Sequence, residues 1–266
     1  MKIALLSAVL YFYSTMAFAD AASFDHNFPS WNKVLAESAV KSDKTTKVKY
    51  HELVKNPADL NAFVKEVESV TPAQYNSWNE KQKLAFLFNS YNALTIKLIV
   101  EELTKDKNLK SIKKIGGVFT SAWKMKYFKF LGKESSLDEI EHELARPNFD
   151  EPRMHFAFNC ASISCPSLHL TPFIADKLDE QLEASVQNFL SDSSRNELNK
   201  KNHTLALSSI FKWYKEDFEN SKKLGPLKKF LLARFPMSED EKKQFAADKF
   251  DIKYLEYNWN LNIWVK

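Results

Sequence analysis

Residues 84–100 read LAFLFNSYNALTIKLIV, and Lys97 is the one charged side chain in the run. At about 100° per residue, Leu84, Leu87, Phe88, Tyr91, Leu94 and Leu98 share one face, whereas Lys83, Ser90, Lys97 and Glu101 mark a narrow solvent edge. The spacing predicts a helix that is surrounded by core on nearly every side. Asn89 and Asn92, three apart, fall on the flank beside Ala85 and Ile96. An unpaired buried amide costs about 1–3 kcal/mol, so both asparagines must be bonded to something. Their partners are either a neighbouring loop's backbone or groups that line a pocket.

Downstream, Ser136-Leu137-Asp138-Glu139 and Ser238-Glu239-Asp240-Glu241 have the S-x-x-E form that satisfies free amide donors at a helix start. Leu137, Ile140 and Leu144 then recur at helical spacing. Measured from that stripe His142 points nearly the opposite way, which predicts a lone exposed histidine. Strands are predicted more sparsely. In YNWNLNIW (257–264), Tyr257, Trp259, Leu261 and Ile263 alternate with asparagines, a period of two. HFAF (155–158) and TLAL (204–207) are further candidates, and YFKFLGK (127–133) reads as a strand that turns at Gly132. The expected class is α+β, a helix-predominant single domain with a small sheet, over residues 51–266. Residues 20–50 read as a lead-in segment.

The chain opens MKIALLSAVLYFYSTMAFADAA, in which Lys2 precedes an apolar run and Ala17-Phe18-Ala19 fits the pattern cut by signal peptidase. Residues 1–19 are therefore expected to be a signal peptide and the mature protein to be soluble, periplasmic or secreted. No stable membrane insertion is expected after cleavage, because no other stretch approaches ~18 uncharged apolar residues. Of the 266 residues 44% are hydrophobic and 14% aromatic, enough to fill a sizeable core. The net charge of +4 implies little about partners. Lysine clusters at 105–114 and 222–229 lack the interleaved aromatics and arginines of nucleic-acid grooves, so no nucleic acid is expected. With four glycines, the chain contains neither a P-loop nor a G-x-G-x-x-G turn; it has no G-x-S-x-G elbow and no H-E-x-x-H pair. No cofactor is expected.

Both cysteines lie in HFAFNCASISCPSL (155–168). In a regular strand, His155, Ala157 and Asn159 would face one way and Phe156, Phe158 and Cys160 the other. A thiol–imidazole pair of Cys160 and His155 therefore requires the chain to turn near Asn159. ASISCP favours such a turn, since Pro166 drives Cys165 away from helical geometry. The competing reading is a Cys160–Cys165 disulfide, expected of two lone cysteines in an exported chain and able to shape the loop. His155, Cys160 and Cys165 with His142 or His169 match no established ligand spacing, so no metal is expected.

Several ordered pieces carry a resemblance: FLFNSYNALTI (86–96), Trp123 ahead of YFKFLGK, SLDEIEHELAR (136–146), DEPRMHFAFNCASISCPSL (150–168), LDEQLEASVQNFL (178–190), SSIFKWYKEDF (208–218) and YNWNLN (257–262). Together they resemble the domain of unknown function 547 family, of which the chain would be an exported bacterial member. The resemblance implies that Asn89, Tyr91, Asn92, His142, Arg153, His155, Cys160, Ser164, Cys165 and Pro166 occupy the family's recurrent polar positions. It thereby brings His142 back among the site residues and favours a pocket at the asparagines. It supplies no reaction. Plant members are large cytosolic proteins with leucine-zipper segments, and their reducing compartment weighs against an obligatory disulfide.

The expectation carried forward is a cysteine/histidine-dependent acyl-transfer enzyme, peptidase- or amidase-like, with Cys160 as nucleophile and His155 as base. Asn89, Asn92 or Asn159 would donate to an oxyanion, and Arg153 or His142 would orient an anionic substrate. Tyr91 and Ser164 complete the binding set for a small-molecule or peptide ligand. The alternative is a non-catalytic binding module with a bridged Cys160 and Cys165. The oligomeric state is not legible in the sequence.

Overall fold

The computed structural model describes residues 23–117 and 120–265; the signal peptide expected over 1–19 lies outside them. Helix α1 (Pro29–Ser38) leads into a hairpin of β1 (Ala39–Ser42) and β2 (Thr45–Val48), so much of the expected lead-in packs on the core through Phe28, Trp31, Val34 and Val48. Helices α2 (Tyr50–Lys55), α3 (Ala58–Ser69) and α4 (Pro72–Ser77) follow and precede the central α5 (Glu80–Lys105).

Helix α5 starts at a capping box: Asn79 Oδ1 accepts from the Gln82 amide and the Gln82 side chain accepts from the Asn79 amide. Every residue from Leu84 to Ile96 is buried, so the apolar run is enclosed as its pattern predicts. Burying each of its leucines and phenylalanines contributes about 1.5–3 kcal/mol. Ser90, expected at the solvent edge, is instead fully buried, and its hydroxyl has no partner. Lys83, Lys97 and Glu101 stay at the partly exposed edge, where Lys97 pairs with Glu101 one turn on.

A hairpin of β3 (Phe128–Phe130) and β4 (Lys133–Ser135) turns through Leu131 and Gly132, both with positive φ. This is the twist that two-residue hairpin turns require. Residues Glu139–Ala145 then form a π-helix, whose wider turn is closed by the Arg146 amide on Glu141 O at 3.0 Å. The Ser136 hydroxyl accepts from the Glu139 amide, as the capping pattern predicts. Past the cysteines come α6 (Leu178–Leu190), β5 (Glu197–Asn199), β6 (Thr204–Ser208), α7 (Ile210–Trp213), α8 (Lys215–Glu219), α9 (Leu227–Arg234), α10 (Glu239–Ala246) and β7 (Asp251–Leu255). Strand β6 pairs antiparallel with β5 and parallel with β7. The class is α+β with helix predominant.

Two predicted strands are absent. HFAF lies partly in a short 3₁₀ helix, Pro152–Phe156. Pro152 suits a helix start, and the Glu151 side chain caps it by accepting from the Arg153 amide. YNWNLNIW makes only single bridges, Leu261 to Ser162 and Ile263 to Val48. There Asn258 bonds the Asn260 amide, a local turn that competes with a ladder. Asn262 is buried on Tyr50 (2.8 Å), which breaks the alternation.

The interior is two apolar clusters. One surrounds α5; the other gathers Val186, Phe189, Phe211, Phe218 and Phe230. The cysteine segment is the seam, with Phe158 in the first cluster and Phe156 in the second. No helix of the described residues is long and apolar enough to cross a membrane.

Candidate functional site

A cavity of about 250 Å³ opens at this seam, with Tyr91 and Phe158 from one side and Ile210, Trp213 and Tyr214 from the other. His142, His155, Cys160 and Cys165 also line it. The chain turns after Asn159, whose side-chain oxygen accepts from the Ala161 amide (3.0 Å) while Ala161 adopts a left-handed φ of 59°. A residue with a Cβ pays about 1–2 kcal/mol for that conformation, so the loop is held by its surroundings.

The asparagines do this holding. Asn89 grips both backbone groups of Phe173, donating to O at 2.8 Å and accepting from N at 3.0 Å. Asn92 donates to Ala157 O and accepts from Asn159 N, and Asn159 donates to Pro166 O. Their amide groups are therefore satisfied by loop backbone, and none of the three lines the cavity. Ser164 exchanges two bonds with Asn258, its hydroxyl accepting from that backbone amide at 2.9 Å. Arg153 is buried against Glu151, at 2.6 and 2.7 Å, and reaches Asp179 at 2.8 Å. Its charge is answered within the fold, outside the cavity lining.

Two groups that the sequence reading did not single out organise the site. Asp217, on α8, accepts from His155 Nε2 at 2.7 Å and takes a bidentate grip from Arg146 at 2.6 and 2.8 Å. Tyr214 stacks on the His155 ring, centroids 3.8 Å apart. Burial opposes ionisation of Asp217, yet the bonds from His155 and Arg146 hold its carboxyl well below the usual range. Burial pushes the His155 imidazole down, against the pull of Asp217. The ring is thus neutral near pH 7, with its proton on Nε2, and Nδ1 is a buried lone pair with no partner. The only hint in sequence was the piece SSIFKWYKEDF, whose aspartate carries no signal of its own.

His142 is half-exposed on the π-helix, its Nδ1 2.7 Å from Arg146 and its Nε2 3.9 Å from Asp138. It is exposed as periodicity predicts, but on the cavity side.

Both cysteines are free thiols. Cys160 Sγ lies 3.3 Å from the Tyr257 hydroxyl and 3.6 Å from Ser162 Oγ, and the Cys160 amide donates to Cys165 Sγ at 2.8 Å. Burial would raise the Cys160 pKa, but hydrogen bonding with Cys165, Tyr257 and Ser162 outweighs it and holds the thiol below its ordinary value. Burial and the neighbouring Cys160 push Cys165 well up. One sulfur is thus acidified and the other held protonated. Cys160 shares the cavity with His155 without a direct hydrogen bond to it.

Comparison with curated proteins and with solved structures finds no match. Residues 75–190 match the family model described as "Protein of unknown function, DUF547". That span contains α5, the π-helix and both cysteines, and over it the chain is similar to the DUF547 family.

Proposed function

We propose that the protein is an exported cysteine-dependent acyl-transfer enzyme of peptidase or amidase type. The observation that carries this reading is one cavity lined by an acidified thiol, Cys160, and by a neutral His155 whose far nitrogen is held by Asp217. Nucleophile, base and orienting carboxylate are the parts that thiol acyl transfer needs. In the reaction His155 Nδ1 takes the Cys160 proton, and the sulfur adds to the substrate carbonyl carbon. The C–N bond then breaks as the imidazolium returns its proton to the leaving amine. Water, deprotonated by the same imidazole, cleaves the thioester and restores the thiol. Reactive pairs are often long or misaligned before substrate arrives, so the missing Cys160–His155 bond is compatible with this role. Tyr257 and Ser162 stabilise the thiolate meanwhile.

The test is alkylation by iodoacetamide followed by intact mass and peptide mapping. One adduct is expected, on Cys160, still forming below pH 8 and absent from Cys160→Ala. In His155→Ala the rate should fall at least about tenfold, as general-base assistance is lost. A rate unchanged in His155→Ala would sink the reading.

The contact between the two cysteines favours a second reading, a binding module in which Cys160 and Cys165 are bridged. Protein from its native compartment would then lack titratable thiol and weigh two daltons less than its reduced form.

A further inference from the structure

The thiol chemistry leaves the cavity carboxylate of Glu141 unused. Glu141 is 6% exposed, sits in the π-helix and lines the cavity. Among the described residues no lysine, arginine or histidine nitrogen lies within 4.0 Å of its carboxylate. Arg146, which also ends that helix, is committed to Asp217 and His142. Burial and the neighbouring Glu141 push the Tyr214 hydroxyl well up, so it is a neutral neighbour of that carboxylate. Asp138 adds a second carboxylate to the lining, whereas no lysine or arginine belongs to it. Arg146 and His155 feel Glu141 only through space; a buried carboxylate without a contacting counter-charge is costly, so the cavity favours a ligand that brings one.

The mouth suits the same ligand. Trp213, 47% exposed, lies 5.6 Å from Trp259 and 4.9 Å from Tyr257, and Trp123 closes the group edge-on at 5.7 Å from Trp259. Aromatic faces attract cations, and the Lys113 ammonium already lies 5.2 Å from the Trp259 ring centre. Among the described residues no group of three or more His, Cys, Asp or Glu is arranged to hold a metal ion. An organic cation therefore fits the unanswered charge better than an inorganic one.

We infer that the cavity selects substrates that carry an amine or guanidinium, such as a basic side chain of a peptide or amide, seated on Glu141 inside the aromatic mouth. The inference rests on the acyl-transfer reading for what happens to the substrate, but binding alone tests it. The protein is Cys160→Ala, which cannot react, and the readout is tryptophan fluorescence on titration with arginine amide or its neutral isostere citrulline amide. Arginine amide should bind at least about tenfold more tightly, the gap expected of a charge-assisted bond. Glu141→Gln should erase the preference, and Trp213→Ala, altered at the exposed mouth, should weaken arginine amide about threefold. Equal affinities for the two amides in Cys160→Ala would overturn the inference, as would an arginine preference that survives Glu141→Gln. Cation binding with no His155-dependent alkylation would instead sink the acyl-transfer reading alone.

Discussion

At the scale of single residues, His155 bears the most contradictory demands. It is enclosed, stacked on Tyr214 and bonded to a carboxylate, yet burial outweighs the carboxylate and lowers its pKa. The folded protein therefore takes up this proton less readily than the unfolded chain, whose histidine titrates near ~6.5. The stability that this group contributes is complete above about pH 6.5 and is lost as pH falls through the lower folded value. Urea midpoints followed from pH 8 to pH 5 should accordingly drop for the wild type, and His155→Gln should show a shallower slope. His26 and His169 are also pushed down by burial, but they are present in both proteins and cancel in the difference. Parallel slopes would mean that His155 takes up its proton equally in the folded and unfolded chain. The same lowering keeps Nδ1 available as a base in mildly acidic solution.

At the scale of elements, α5 is both the hydrophobic axis and the clamp on the cysteine loop. Asn92 satisfies two buried backbone groups, Ala157 O and Asn159 N, that no strand ladder serves. Asn92→Ala should orphan both and cost at least about 2 kcal/mol in denaturant unfolding. It should also slow Cys160 alkylation, because the turn at Ala161 loses its support. A loss below about 0.5 kcal/mol would mean that the loop holds itself. The burial of α5 was legible because its period and apolar density say the same thing. The need for partners at Asn89 and Asn92 was legible too, but their choice of loop backbone over a pocket was not, since Phe173 and Ala157 lie far away in sequence. The 3₁₀ turn at Pro152–Phe156 escaped because alternating phenylalanines can serve two clusters as readily as two sheet faces. The capped stripe at 137–144 identified a helix, but no pattern in it distinguished a π turn, which is what carries Glu141 and His142 to the cavity.

At the scale of the whole molecule, the site is assembled from distant stretches of chain, and this explains why half of it was hidden. Cys160 and His155 stand together in sequence, whereas Asp217, Tyr214 and Tyr257 belong to segments beyond residue 190, outside the matched family span. Sequence reading finds residue types and local spacing, and it has no access to a meeting between α8 and the seam. The tail after β7 completes the assembly by running back over the first cluster. Leu261 is buried, Asn262 accepts from Tyr50 Oη and its carbonyl takes the Val48 amide at 2.9 Å. Removing residues 261–266 would expose the Leu261 site and orphan the buried Tyr50 hydroxyl, at a combined cost of about 3–5 kcal/mol. Tyr257 and Trp259 remain in that truncation, so cavity chemistry is lost only through stability. Removing 265–266 alone should cost nothing measurable, since Val265 is 75% exposed. Urea unfolding of the two truncations beside the full chain checks the argument: a midpoint for the longer deletion equal to that of the shorter one would show that the tail covers the core without holding it.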